Sequence, residues 1–223
     1  MGSLYEAKAN LGKRRNRSFE GGGPSYKKAK MFMPKKFRLA PVKKALGVQT
    51  KKINIPQAST ATAATTAVVL HMSAIPRGAG ETERVGNRIL TQNINVRGTV
   101  QRNAAGASGQ YVRIVLIQDT QNAPDAVTPT WADVYGSDAN SHFNEEHTGR
   151  YKQLDQCFIC VAPDQSVMPF ALNSNKKISI RYNGAASTDI DLNGIFMMAI
   201  GDPFSGANGP SVAARTRIAY TDM

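Results

Sequence analysis

Tyr111-Val112-Arg113-Ile114-Val115-Leu116-Ile117-Gln118 decides the fold of this chain. The run is rich in β-branched residues and apolar almost throughout, so neither face reads as solvent-exposed; a strand covered on both sides is the structure that suits it. Working outward, further segments read as strands separated by turn-rich loops. Val68 to Met72 is a short apolar run closed by Pro76 and Gly78, and Asn87 to Arg102 alternates with period two. Leu154 to Val161, Lys176 to Tyr182, Gly194 to Ile200 and Val212 to Tyr220 continue the series. Within Lys176 to Tyr182, Ile178, Ile180 and Tyr182 share one face while Lys177, Ser179 and Arg181 take the other. No segment has a long 3.6-residue period. Trp131 to Tyr135, after Pro129, predicts a single helical turn inside a long loop. Six to eight strands without αβ alternation or a fixed repeat point to an all-β sandwich or barrel.

The 223 residues carry a net charge of +12, and that charge is confined to one end. Residues 1–52 hold 15 Lys/Arg against Glu6 and Glu20, a net of +13; residues 53–223 hold 13 against 14 acids, a net of −1. The cations cluster at Lys13-Arg14-Arg15-Asn16-Arg17, Lys27-Lys28-Ala29-Lys30, Lys35-Lys36-Phe37-Arg38, Lys43-Lys44 and Lys51-Lys52. Gly21 to Pro24, Pro34 and Pro41 interrupt them, so residues 1–58 are expected to form a largely disordered basic arm. Ala58 to Thr66 reads as a low-complexity bridge, and residues 59–223 as the folded domain. A near-neutral body with a polycationic arm implies a polyanionic partner, with nucleic acid the first candidate. Lys13, Arg14, Arg15, Arg17, Lys27, Lys28, Lys30, Lys35, Lys36, Arg38, Lys43 and Lys44 are the expected phosphate contacts. Tyr5, Phe19, Tyr26, Phe32 and Phe37 lie among them, as suits bases stacking on rings while cations follow phosphates. The same clusters also read as nuclear-import signals.

The remaining chemistry is sparse. Cys157-Phe158-Ile159-Cys160 has knuckle spacing, yet within a strand positions three apart face opposite ways, so two buried structural thiols are expected and no metal. His142-Phe143-Asn144-Glu145-Glu146-His147 fits neither zincin order and reads as a polar surface loop. His71 reads as a strand residue with a local hydrogen bond. Asp189 and Asp191 share a strand face, where calcium chelation with Asp155 or Asp164 is the minor alternative to a solvated surface. There is no phosphate-binding loop after Gly21-Gly22-Gly23 and no nucleophile elbow, so neither an enzyme nor a cofactor is expected. No apolar run is long enough for a membrane span, and Met1 to Glu6 lacks a secretory core; a reducing compartment and no membrane partner are expected.

Three further stretches carry a family likeness. They are Glu83-Arg84-Val85-Gly86-Asn87-Arg88-Ile89 leading into a strand, Val112 to Pro124, and Gly149-Arg150-Tyr151-Lys152-Gln153-Leu154-Asp155 opening the next strand. With the basic arm, the Thr/Ala bridge and the β-rich body, the chain resembles the single jelly-roll capsid proteins of small circular single-stranded DNA viruses. It is similar to geminivirus-like and satellite tobacco necrosis virus-like coat proteins, although the arm holds no cysteine–histidine finger. The resemblance implies an eight-stranded jelly-roll sandwich whose copies assemble into an icosahedral shell, sixty in the smallest case. It further implies that the arms point inward and package the genome, with single-stranded DNA expected rather than RNA. Together with the import signals read in the basic clusters, a virion assembled in the host nucleus with the help of import receptors is expected. The alternative from a different class is a cellular nucleic-acid-binding or histone-related β-sandwich module.

Overall fold

The computed structural model describes residues 49–62, 66–105, 109–121, 128–201 and 209–223. The chain divides into two units, Met1–Ala45 and Leu46–Met223, and every described residue belongs to the second. That unit is built of strands: β1 Thr50–Ala61, β2 Val68–His71, β3 Arg88–Gln101, β4 Gln110–Asp119, β5 Tyr151–Val161, β6 Val167–Ser174, β7 Ser179–Tyr182, β8 Ile190–Leu192, β9 Gly194–Gly201 and β10 Ser211–Asp222. One helical turn, α1 at Trp131–Val134, and a 3₁₀ turn at Glu145–His147 lie in the β4–β5 connection.

The strands form two sheets, and every described pairing between them is antiparallel. One has the order β1-β10-β3, continued by β6 along most of β3 and by the short β7–β8 hairpin against Arg88–Leu90. The other has the order β2-β9-β4-β5. With the hairpin set aside, eight strands remain: first, eighth, third and sixth in one sheet, second, seventh, fourth and fifth in the other. This interleaving is the double Greek key of a jelly roll.

Alternation along the strands explains the layering. Ile94, Val96, Val212, Ile218, Phe170 and Leu172 point from the first sheet into the core shared with Val112, Ile114 and Leu116 of β4. Each buried side chain of that size contributes about 1.5–3 kcal/mol. The opposite face of β4 is covered as well: Val115 and Ile117 pack under Trp131, Val134, Tyr135 and Ala139 of the β4–β5 connection. The doubly apolar 111–118 stretch therefore has two cores to fill, one on each side. Two ion-paired or stacked arginines anchor that connection. Arg150 makes a bidentate pair with the fully buried Asp119 (3.1 and 2.9 Å), joining two of the stretches that carry the family likeness. Arg113 lies 4.1 Å from the Tyr135 ring and donates to the carbonyls of Ala139 and Ser141 and to Gln156 Oε1.

Several expectations need correction. Thr50–Ala61, divided by the sequence reading between arm and bridge, is a strand paired with β10 from Thr50↔Thr221 to Ala61↔Ser211, so a boundary at residue 58 cuts through it. Cations and Pro56 concealed it. Yet Ile53 and Ile55 alternate inward, and Pro56 is tolerated because β1 is an edge strand. β6 is a strand beyond those expected, and its outward positions hold Val167, Pro169 and Ala171, which blur the polar half of the period. The strand expected from Lys176 begins only at Ser179, although Ile178, Ile180 and Tyr182 are buried as the alternation requires.

Candidate nucleic-acid interface

The expected phosphate contacts Lys13, Arg14, Arg15, Arg17, Lys27, Lys28, Lys30, Lys35, Lys36, Arg38, Lys43 and Lys44 lie outside the described residues. Of the last basic cluster, Lys51 is engaged within the fold. Its Nζ sits 3.0 Å from Asp222 Oδ2 and donates to the Glu83 carbonyl at 2.7 Å. Lys52, the next residue, points to solvent.

Lys52 opens onto a polar sheet face that sequence reading did not single out. Antiparallel register sets the solvent-facing residues of β1, β10, β3 and β6 side by side in rows. Lys52, Ala219 and Asn93 form one row, Asn54, Arg217, Asn95 and Asn173 the next, and Pro56, Arg215, Arg97 and Ala171 the third. Arg97 and Arg215 are direct partners on neighbouring strands. Arg217 Nε donates to Asn54 Oδ1 at 2.9 Å, which leaves the outer nitrogens of that guanidinium turned to solvent. Amide pairs Asn95–Asn173 and Asn93–Asn175 tie β3 to β6 and its continuation. The rows contain no carboxylate; Asp155, which approaches the β6 edge, accepts from the backbone N–H of Asn173 at 2.7 Å. Asn54, Asn93, Asn95, Arg97, Arg215 and Arg217 line a groove of about 700 Å³. Chemically, three guanidinium groups in a field of neutral amides attract anions. The signal was present in sequence as Asn93-x-Asn95-x-Arg97 and Arg215-x-Arg217, but only strand register brings the two together.

Cys157 faces the core, and its thiol is pushed up to about 11, first by burial and then by Asp155. Cys160 is exposed, which corrects the expectation of two buried thiols, because a three-residue offset in β5 sends the second to the outer face. His142 to His147 is a surface loop carrying the 3₁₀ turn, as its composition suggested. His71 stacks on Phe196 at 4.7 Å and meets Ser73 Oγ at 3.2 Å, the local hydrogen bond expected of it; burial lowers it to about 4. Asp189 caps the backbone N–H of Ala186, and Asp191 pairs with Arg181, so each carboxylate serves its own turn.

Strand order defines the class of protein: a jelly-roll β-sandwich, an architecture shared by viral coat domains, lectins and cupins. The family model of the geminivirus coat protein/nuclear export factor BR1 family matches residues 4–152, more than half of the chain. The chain belongs to that family, and its jelly roll is that of a viral coat protein. Among solved structures it is similar to a protein of desmodium yellow mottle tymovirus, with 11% identity and a TM-score of 0.37, covering 78% of this chain and 86% of that one. It is also similar to the human polyomavirus 6 VP1 pentamer, with 8% identity and a TM-score of 0.24, covering 78% and 94%. The fold assignment rests on the strand order, independent of these likenesses. A comparison with curated proteins finds no match.

Proposed function

We propose that this coat protein self-assembles into a closed icosahedral shell and packages the viral genome by charge, chiefly through its basic N-terminal segment. The observation that carries this reading is the charge partition on a coat-family jelly roll: +13 in residues 1–52 against −1 in the rest. A near-neutral body packs against copies of itself without accumulating like charge, while the cations gather on a polyanion. If about sixty copies form the smallest shell, roughly 780 positive charges meet the phosphates of a genome of about a thousand nucleotides. Single-stranded DNA is the favoured cargo, on the strength of the family. The clusters Lys13–Arg17 and Lys27–Lys36 double as import signals that bring the protein to the host nucleus for assembly. The role is structural, with no reaction assigned.

Negative-stain imaging of the purified full-length chain, with extraction of nuclease-protected nucleic acid from the same sample, tests this. Closed particles of uniform diameter holding protected nucleic acid are expected. A chain lacking residues 1–45 is expected to keep the β fold and lose the cargo. That cut spares Lys51 and its bridge to Asp222, which a cut at 52 would remove. Persistent monomers without protected nucleic acid would overturn the reading and favour the nuclear export role that the family description also covers.

A further inference from the structure

We propose that the outward face of the β1–β10–β3–β6 sheet is a second nucleic-acid contact, built into the folded domain. There Arg97, Arg215 and Arg217 bind the phosphate backbone of a single strand. The inference rests on the packaging reading and adds a site to it.

Charge on this face is placed against itself. Directly opposed like charges on adjacent antiparallel strands destabilise a sheet, and Arg97 and Arg215 stand in that relation. Four arginines elsewhere in the body are satisfied internally: Arg84 by carbonyls, Arg150 by Asp119, Arg181 by Asp191, and Arg113 by carbonyls and Gln156. Arg88 also stands opposite an arginine, Arg181, but there Asp191 pairs with Arg181 and supplies the balancing charge. Arg97 and Arg215 are exposed and, among the described residues, have no such partner. A sheet serving structure alone gains nothing from this arrangement; a bound polyanion turns the repulsion into attraction.

Arg215 and Arg217 are two residues apart on one strand, about 6.7 Å, and Arg97 is about 4.8 Å across from Arg215. The three cations thus form a short track along a groove whose walls are the amides of Asn54, Asn93 and Asn95. Asn93 and Asn95 each spend one amide N–H on Asn175 and Asn173; the second N–H of each, with the Nδ2 donors of Asn54, is left to donate to phosphate and sugar oxygens without adding charge. Lys52 extends the track by one row, on the strand that directly follows the polycationic segment in sequence.

What the face lacks defines its ligand further. None of the residues in these rows is aromatic, so bases have no platform to stack on. Recognition is therefore of the backbone and independent of base sequence, as packaging a whole genome requires.

Arginine footprinting of the full-length chain tests the proposal. Phenylglyoxal modification is followed by mass spectrometry with and without excess fluorescein-labelled oligo(dT), whose binding is read by anisotropy in the same samples. Arg97, Arg215 and Arg217 are expected to be protected by the oligonucleotide, with Arg88, which is exposed outside these rows, modified equally in both. In the variant R97Q/R215Q/R217Q, the slope of log affinity against log salt is expected to fall by about 2, from three lost single-strand phosphate contacts. Its melting temperature without oligonucleotide should equal or exceed that of the parent, since an opposed cation pair has gone. If oligo(dT) binds while the three arginines stay fully reactive and the slope is unchanged, the face is not a contact, and packaging by the basic segment stands alone. Protection that needs only high protein concentration would make the face a subunit contact and overturn the proposal, as would failure of the chain to bind oligo(dT) at all.

Discussion

Replacing Arg84 is expected to cost more than any other single change to a polar side chain in the body. This arginine is fully buried. Its Nε donates to the carbonyl of Ile75 (3.1 Å), Nη1 to Gly86 (2.8 Å), and Nη2 to Gly184 (2.7 Å) and Ala186 (3.2 Å). The guanidinium lies 3.9 Å over the Tyr182 ring, whose hydroxyl donates to Ser73 O at 2.8 Å. One side chain thus joins the β2–β3 connection to the β7–β8 turn. Burial lowers its pKa, while the Tyr182 ring and then Asp189 and Asp222 work the other way. Each hydrogen bond from a charged donor contributes about 1.5–3 kcal/mol net. Water reaching the partly exposed carbonyls, and relief from burying a cation, offset much of the sum. Arg84→Met is therefore expected to lose about 3–5 kcal/mol, a fall in melting temperature of roughly 10 °C for a domain of this size. Arg84→Lys keeps the charge but not the fork, and should recover only part of the loss. The assay is thermal unfolding of the chain at a dilution that keeps it unassembled, because assembly raises apparent stability by mass action. A loss below about 1 kcal/mol for Arg84→Met would refute the reasoning and mean that water replaces the guanidinium at all four carbonyls.

Two further outcomes follow from the packing. His71 is held near 4 by burial against an ordinary value of 6.5, so between those values the unfolded chain binds the proton that the folded one refuses. Stability is therefore full above about pH 6.5 and falls as pH drops toward 4, by about 2–3 kcal/mol. Urea titrations across that range should show the slope, and His71→Phe should flatten it; an unchanged slope in the variant would assign the acid sensitivity to other groups. At Gly98 an added Cβ would lie 2.2 Å from the Ala213 carbonyl and 2.6 Å from the Phe170 ring. Gly98→Ala is expected to cost about 1–3 kcal/mol by forcing β10 and Phe170 apart, measured as a shift of the denaturation midpoint. A midpoint equal to the parent's would mean that the strands have slack there.

How much was legible in advance depended on how local the signal was. The period-two run of β3, the apolar β9 and the doubly covered β4 declared themselves, because burial on a fixed face writes itself into adjacent residues. β1 and β6 did not: in both, the outward half of the alternation is filled by residues that mean something else in isolation, Lys52, Asn54 and Pro56 in one and Val167, Pro169 and Ala171 in the other. The cysteines were half legible, since alternation gave their opposite directions but not that the outer face of β5 is left open at Cys160. Arg84 and Arg150 stood in stretches that looked familiar, yet their partners are backbone carbonyls and a buried Asp119 distant in sequence.

By itself, the sequence determined an all-β body, its separation from a polycationic segment and its likeness to coat proteins, since periodicity, composition and net charge are sums over neighbouring residues. The tertiary structure alone decided that β1 closes the sheet, that the β4–β5 connection covers the back of β4, and that Arg97 stands opposite Arg215. Those facts depend on register between strands far apart in the chain. Register is fixed by which faces can be buried together, a condition that no stretch of neighbouring residues contains.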